Sequence, residues 1–172
     1  MSDEATEKTE EESDLSGEPW VEPATLEDLP DLVRLVVDLM EHEADFEANE
    51  RKQEQGIRLI LEKPNRGRIF VVRNDYRIVG MVNLLFTIST AVGGFVINME
   101  DVVIHPDHRR QGYGSLLMSY VREFAEQKQF LRITLLTDKI GEDSQLFFQS
   151  NGFAFSHMIP MRLILEKEND EA

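Results

Sequence analysis

The most informative stretch of the sequence is Met-Glu-Asp-Val-Val-Ile-His-Pro-Asp-His-Arg-Arg-Gln-Gly-Tyr-Gly-Ser, residues 99–115. Residues 99–104 are typical of a strand, and Gly112 opens a segment with helical apolar spacing. The pattern therefore predicts a strand, a loop and a helix in succession. The start of a helix carries unpaired N–H groups and a partial positive charge, both of which suit an anionic phosphate. The stretch is thus a candidate anion site.

The two glycines of this stretch permit a close approach of the backbone to a ligand. Gly112 and Gly114 have no Cβ. The two residues Arg109 and Arg110 come just before them, and their positive side chains can make charge-assisted contacts with a pyrophosphate. Two other phosphate motifs do not fit, because Gly-Lys-Ser/Thr is missing and Leu117 stands where a dinucleotide motif needs its third glycine. A glycine pair by itself indicates no more than a turn that begins a helix.

The chain before this stretch predicts one strand, two helices and a hairpin. We expect a strand at Trp20–Pro23, and Thr25 with Asp28 forms a capping-type helix start. The apolar stripe of this first helix consists of Leu29, Leu32, Val33, Val36, Val37 and Met40. The later elements are a helix over Glu50–Leu61 that Pro64 ends, strands at Ile69–Val72 and Arg77–Thr87 joined by a turn at Asn74-Asp75, a reversal at Ala91–Gly94, and a strand at Phe95–Ile104.

The remaining elements follow the helix that begins after Gly112. They are a strand at Leu131–Thr137, a short helix at Asp143–Ser150, and closing strands at Phe153–Phe155 and Met161–Leu165. The order β-α-α-β-β-β-α-β-α-β-β predicts an α/β (α+β) domain with a mixed, mostly antiparallel sheet flanked by helices.

Three blocks in fixed order carry a family resemblance. They are Glu-Asp followed by three hydrophobic residues, then x-Pro with Arg-Arg-Gln-Gly-Tyr-Gly, and then Phe-Phe-x-x-Asn-Gly-Phe at Phe147–Phe153. This resembles the GNAT superfamily of acyl-CoA N-acetyltransferases, whose signature Gln/Arg-x-x-Gly-x-Gly/Ala is matched at Arg109, Gly112 and Gly114. The similarity extends over residues 20–165. It implies a sheet splayed between the fourth and fifth strands.

The resemblance also implies acetyl-CoA as the cofactor. Residues 111–115 would offer backbone N–H groups to its pyrophosphate, and residues 102–104 would pair with the pantetheine arm through the main chain, so side-chain changes there should be mild. The implied cofactor-binding residues are Val102, Val103, Ile104, Arg109, Arg110, Gln111, Gly112, Tyr113, Gly114, Ser115, Ser144, Phe147 and Phe148.

Transfer to an amine requires a group that accepts a proton, because an alkylamine with a pKa near ~10.4 is mostly protonated at neutral pH. Glu100 and Asp101 are the catalytic candidates, and on a regular strand they face opposite sides. The resemblance favours Glu100, while Asp101 is equally explained as a structural carboxylate that caps a loop. Many members of the family protonate the leaving thiolate with a tyrosine, at the position of Phe148 here. Tyr113, Tyr120, Ser144, water or solvent could replace it, or no acid is needed.

Composition limits the other classes of function. The net charge of -15 is concentrated in residues 1–19, at -7, and residues 166–172, at -3, which leaves -5 for the rest. A surface of this sign disfavours nucleic acid and favours cationic partners. There is no cysteine, which excludes disulfides and thiolate nucleophiles and fits a reducing cytoplasm. We expect no metal, because His42, His105, His108 and His157 lack ligand spacing.

The expected organisation is an acidic tail at residues 1–18, an N-acetyltransferase domain at 19–166 and a flexible acidic end at 167–172, with no signal peptide or membrane helix.

The acceptor is predicted to be a small-molecule amine or a basic peptide, and a homodimer is compatible with this fold. Residues 38–50 hold six acids and no Lys or Arg, which indicates either a rim that concentrates cations or a solvated face. Three functions stay open: a small-amine enzyme, a protein N-terminus or lysine acetylator, and an acyl-CoA-binding module that has lost turnover.

Overall fold

Five strands form one sheet in the order in which they occur along the chain. They are β1 (Trp20–Pro23), β2 (Gly67–Asn74), β3 (Arg77–Ser89), β4 (Gly94–Ile104) and β5 (Ile133–Leu135). The neighbouring pairs are antiparallel except β4 and β5, which are parallel. The computed structural model describes residues 17–43, 45–138 and 141–165. The prediction of a mixed, mostly antiparallel sheet is confirmed.

The helices are α1 (Leu29–Met40), α2 (Glu50–Leu61), α3 (Tyr113–Gln127) and α4 (Glu142–Ser150), with 3₁₀ turns at Leu26–Asp28 and Pro106–His108. The first helical segment begins with the predicted capping pair, because the Thr25 N–H donates to Asp28 Oδ2 at 2.8 Å. The N-cap of α2 is Asn49, whose side chain accepts a hydrogen bond from the Lys52 N–H at 3.2 Å. Polar caps thus set both helix starts.

The two faces of the sheet pack against different helices. Ile69, Val71 and Met81 belong to an apolar cluster that includes the buried side chains of α1 and Ile57 of α2. Phe70, which points the other way, contacts the rings of Tyr120 and Phe124 in α3, with ring centroids 5.0 and 4.9 Å apart. A helical layer therefore covers each side of the central strands.

The hairpin between β2 and β3 turns one residue later than expected. Asp75 and Tyr76 both have positive φ, 48° and 64°, as a two-residue turn of type I′ requires. The prediction of Asn74-Asp75 is wrong by one position, because Asn74 still pairs with Arg77 in the ladder.

The end of the chain departs further from expectation. The strand predicted at Leu131–Thr137 is shorter, at Ile133–Leu135, and the closing strands Phe153–Phe155 and Met161–Leu165 are not formed in the described chain. Apolar alternation alone does not make a strand, since the extended chain needs a neighbour for its ladder hydrogen bonds.

The contacts divide the chain into a first unit, residues 1–136, and a second, residues 137–172. The predicted tails at 1–18 and 167–172 lie outside the described residues, except for positions 17 and 18.

Candidate active site

The carboxyl half of β4 has a partner strand on one side. Strand β5 pairs with β4 at Ile97–Met99, whereas β3 pairs with β4 from residue 94 to residue 104. Within the described residues, the edge of β4 that faces away from β3 thus has no strand partner after Met99. This is the splay between the fourth and fifth strands that the sequence resemblance implied. Main-chain groups along such an edge can pair with an extended ligand.

A β-bulge interrupts β4 at the start of this open half. Asn83 lies opposite Glu100 and Met81 lies opposite Val103, so one residue of β3 spans two residues of β4. Asp101 has a φ of 49°, which is uncommon outside glycine. The expectation that Glu100 and Asp101 face opposite sides assumed a regular strand, and the bulge interrupts that regular alternation.

The two carboxylates at the bulge have different surroundings. Glu100 is exposed, whereas Asp101 is partly buried and accepts a hydrogen bond from Asn83 Nδ2 at 3.3 Å. Burial raises the pKa of Asp101, and the hydrogen bond from Asn83 opposes that rise. Asn83 was not predicted from the sequence, although a single amide in the apolar run of β3 was a visible signal.

The start of α3 has the geometry expected of an anion site. Gly112 has a φ of 85°, and its carbonyl accepts the first helical hydrogen bond, from the Leu116 N–H at 3.0 Å. The amides of residues 113–115 precede that bond and lie in the first turn, where a helix has no carbonyl to offer them. A Cβ placed on Gly112 would meet nothing within 4 Å, so glycine is required there by the backbone angle and not by crowding.

Side chains of the loop before α3 brace its backbone. Arg109 Nε donates to the Ile104 carbonyl at 3.0 Å, and Gln111 Nε2 donates to the Asp107 carbonyl at 3.2 Å. Arg110 has a positive φ of 61°. Arg109 therefore ties the loop to the end of β4, in addition to any contact that its remaining N–H groups make with an anion. The open space at Gly112 and the amides that follow fit a pyrophosphate, which is the group that coenzyme A would place there.

The candidate residues of the second unit lie on α4. Ser144 is exposed, while Phe147 and Phe148 are partly buried and lie with ring centroids 5.2 Å apart. Phe148 also packs against Phe153, at 5.8 Å. The helix ends in a turn at Gly152, whose φ is 92°. The Phe-Phe-x-x-Asn-Gly-Phe block is thus a helix end with an aromatic cluster, and Phe148 has no hydroxyl to donate.

Metal-binding clusters and membrane-spanning helices are both absent from the described residues. These residues contain no group of three or more His, Cys, Asp or Glu side chains placed to hold a metal ion. Across the same residues, every helix is too short or too polar to cross a membrane.

Comparison with known proteins agrees with this geometry. Residues 31–153 match the model of the Acetyltransferase (GNAT) family, which is more than two thirds of the chain. The chain belongs to the GNAT acetyltransferase family. It is therefore an acyl-CoA-dependent acetyltransferase, and members of this family use acetyl-CoA as donor.

Acetyltransferases with different named substrates are similar to this chain in sequence or in fold. The chain is 27% identical over 134 residues to an aminoalkylphosphonate N-acetyltransferase of Salmonella typhimurium, which covers 78% of this chain and 84% of the relative. Two solved structures share the fold. A possible acetyltransferase from Clostridium difficile 630 has a TM-score of 0.77 at 15% identity and covers 86% of this chain and 99% of that one. An aminoglycoside acetyltransferase from an uncultured soil metagenomic sample, solved with sisomicin, has a TM-score of 0.70 at 20% identity and covers 86% and 97%.

Proposed function

We propose that this protein transfers an acetyl group from acetyl-CoA to a primary amine, with small cationic amines favoured, by direct attack and without a covalent enzyme intermediate. One observation carries the proposal. The open edge of β4 begins with Glu100 and a bulge at Asp101, and the loop that follows this strand leads to the α3 N-terminus. A binding edge, proton acceptors and an anion site are thus consecutive in the chain.

The first unit offers two kinds of contact to the donor. The amides at residues 113–115 bind the diphosphate, since the helix dipole and their free N–H groups favour negative charge. The open edge of β4 at residues 102–104 binds the amides of the pantetheine arm by strand pairing. When bound, acetyl-CoA supplies a thioester carbon that a neutral amine can attack.

Glu100 is assigned as the group that accepts the proton of the attacking amine. It is exposed at the start of the open edge, so an acceptor that enters from solvent can reach it. The new N–C bond forms as the C–S bond breaks, the electron pair of that bond leaves with coenzyme A as its thiolate, and the proton passes from nitrogen to the carboxylate. Asp101 adds negative charge beside it, and this charge stabilises a proton that arrives at the pair.

Charge around the acceptor side supports a cationic amine. The six acids of residues 38–50 lie at the end of α1, in the connection to α2 and at its first residue, and the central part of the chain carries a net charge of -5. Arg51 and Lys52 follow directly, and Arg51 is exposed. Because those two cations could instead serve an acceptor with a phosphonate group, the two amine classes need a direct comparison.

The test is thiol release from acetyl-CoA with a panel of amines, with mass spectrometry of each product. A polyamine, an aminoglycoside, an aminoalkylphosphonate and a lysine-containing peptide represent the competing classes. We expect the highest kcat/KM for the polyamine or the aminoglycoside, with a mass gain of one acetyl group. Preference for the aminoalkylphosphonate or the peptide would reject the cationic small-amine assignment while leaving N-acetylation intact.

A second candidate function is a catalytically weak or inactive acyl-CoA-binding module. The observation that favours it is Phe148, which stands where many family members have the tyrosine that protonates the leaving thiolate. Both candidates predict that coenzyme A raises the thermal unfolding midpoint. Only the enzyme predicts amine-dependent thiol release. Protection by coenzyme A together with no release for any amine would support the binding module.

A further inference from the structure

We propose that Asn83 is a positioning residue of the transfer site: its side-chain amide holds the Asp101 carboxylate in place at the bulge of β4 and favours the charged form of that group. The inference rests on the proposed function, in which Glu100 receives the proton of the amine and Asp101 adds negative charge beside it.

Asn83 occupies a place that an apolar side chain would normally fill. It lies opposite Ile69 in β2 and shares a sheet face with Met81, and both neighbours belong to the apolar cluster beneath α1 and α2. Only 3% of Asn83 is exposed. Among the described residues, the other buried polar side chain is Asp28, which the Thr25 cap and an ion pair with Arg73 at 2.8 Å explain.

The hydrogen-bonding capacity of Asn83 is only half used. Its Nδ2 donates to Asp101, but no group of the described chain donates to its Oδ1. A buried acceptor without a partner destabilises a fold, and leucine has a similar shape without that cost. Stability therefore does not explain why an amide stands at this position, whereas the contact with Asp101 does.

The contact acts on the position and on the charge of Asp101. The residue has a φ of 49°, a strained angle that persists where neighbours hold it. The amide N–H also favours the ionised carboxylate, against the burial that raises the pKa of Asp101. The other charged side chains on β4 and on the helices packed against it lie toward solvent, namely Glu100 on β4, Asp31, Arg34 and Asp38 on α1, and Arg122, Glu123 and Glu126 on α3.

A double-mutant cycle tests whether Asn83 acts through Asp101. We expect Asn83→Leu to lower kcat about tenfold and to change the KM for the amine less than about threefold, since the carboxylate loses its support but the binding surface does not. In an Asp101→Asn background the same change should alter kcat less than about twofold. Asn98→Leu is the matched control, because Asn98 is exposed on the same strand as Asp101 and lies opposite Leu85; it should leave kcat unchanged.

The pH dependence of unfolding tests the same contact without turnover. The pKa of Asp101 is raised in the folded protein, so protonation of this group stabilises the folded state. This contribution to the free energy of unfolding is fully present below the ordinary pKa of 3.8 and is lost as pH rises through the raised pKa of the folded protein. Loss of the Asn83 N–H raises that pKa further. The unfolding midpoint of Asn83→Leu should therefore fall relative to wild type as pH rises above the ordinary value of 3.8, and this difference should vanish in the Asp101→Asn background.

The two measurements separate the possible failures. Equal effects of Asn83→Leu on kcat in the wild-type and Asp101→Asn backgrounds would overturn the proposal, as would a midpoint difference that does not vary with pH. A third outcome is that wild type releases no thiol with any amine while the pH-dependent coupling is present. The proposed function would then fail, and the Asn83–Asp101 contact would be a structural link only. This outcome also overturns the positioning role.

Discussion

The two halves of β4 differ although they belong to one strand. Residues 94–99 have β3 on one side and gain β5 on the other at Ile97–Met99, and Val96, Ile97 and Met99 are at most 2% exposed. Residues 100–104 have β3 as their described partner and begin with an exposed Glu100 and a bulge at Asp101. A strand thus changes from a scaffold paired on both sides to an open edge where its neighbour stops, because main-chain groups lose their ladder partner and side chains meet solvent.

The largest effect is expected in the open half, from Glu100→Gln. The amide cannot take a proton, so kcat should fall by about 10²–10⁴-fold, the usual contribution of a general base. The affinity for coenzyme A and the unfolding midpoint should stay close to wild type, because an exposed side chain is changed to one of equal size. Steady-state kinetics and a thermal shift with coenzyme A check this. Equal losses of kcat and cofactor affinity would contradict the assignment as base.

In the closed half of β4, residues 94–99, Ile97→Ala is expected to lower stability and leave catalysis nearly unchanged. Ile97 is fully buried, so the cavity should lower the free energy of unfolding by about 2–5 kcal/mol. Urea denaturation measures this loss, and kcat per folded molecule should change less than about threefold, since Ile97 belongs to neither the bulge nor the open edge. A large loss of kcat with little loss of stability would mean that the two halves are not distinct.

Gly112, in the proposed anion site, has a matched control in Gly93, which lies in the turn before β4. Gly112 and Gly93 both have positive φ, 85° and 74°, and a Cβ on either would meet nothing within 4 Å. Alanine should therefore strain both backbones by a similar amount, about 1 kcal/mol.

Only Gly112→Ala should also weaken coenzyme A binding, by about tenfold, because it distorts the amides that are proposed to receive the pyrophosphate. Isothermal titration with coenzyme A compares the two variants at equal folded concentration. Equal affinities would remove the phosphate assignment from this loop.

The elements that the sequence predicts well are those fixed by local chemistry. Strand β1 (Trp20–Pro23) and helix α2 (Glu50–Leu61) have the predicted bounds. The signals that predict them are local, because a turn, a cap and an apolar stripe each involve residues only a few positions apart. The helix start at Gly112 was also predictable, since its glycine is required by a positive φ at a cap. The assignments of the remaining site residues stay predictions.

The features that the sequence did not reveal depend on partners far along the chain. The bulge at Asp101 arises from the register of β4 on β3, and the contact with Asn83 joins residues 18 positions apart. The closing strands were wrong for a related reason, since Met161–Leu165 alternates correctly but forms no ladder in the described chain. Pairing is a tertiary property, and local pattern alone cannot determine it.

The smallest effect is expected from Val102→Ala, and it tests how the open half binds its ligand. Strand pairing uses main-chain groups, so the loss of two methyl groups from the partly buried Val102 should weaken coenzyme A binding less than about threefold. The neighbouring Val103 is 5% exposed and packs in the cluster beneath α1 and α2, so Val103→Ala should instead lower stability by about 1–3 kcal/mol. Titration with coenzyme A and urea denaturation of both variants separate the effects. A tenfold loss of affinity for Val102→Ala would mean that side chains, and not the free main-chain edge, select the cofactor in this half of the strand.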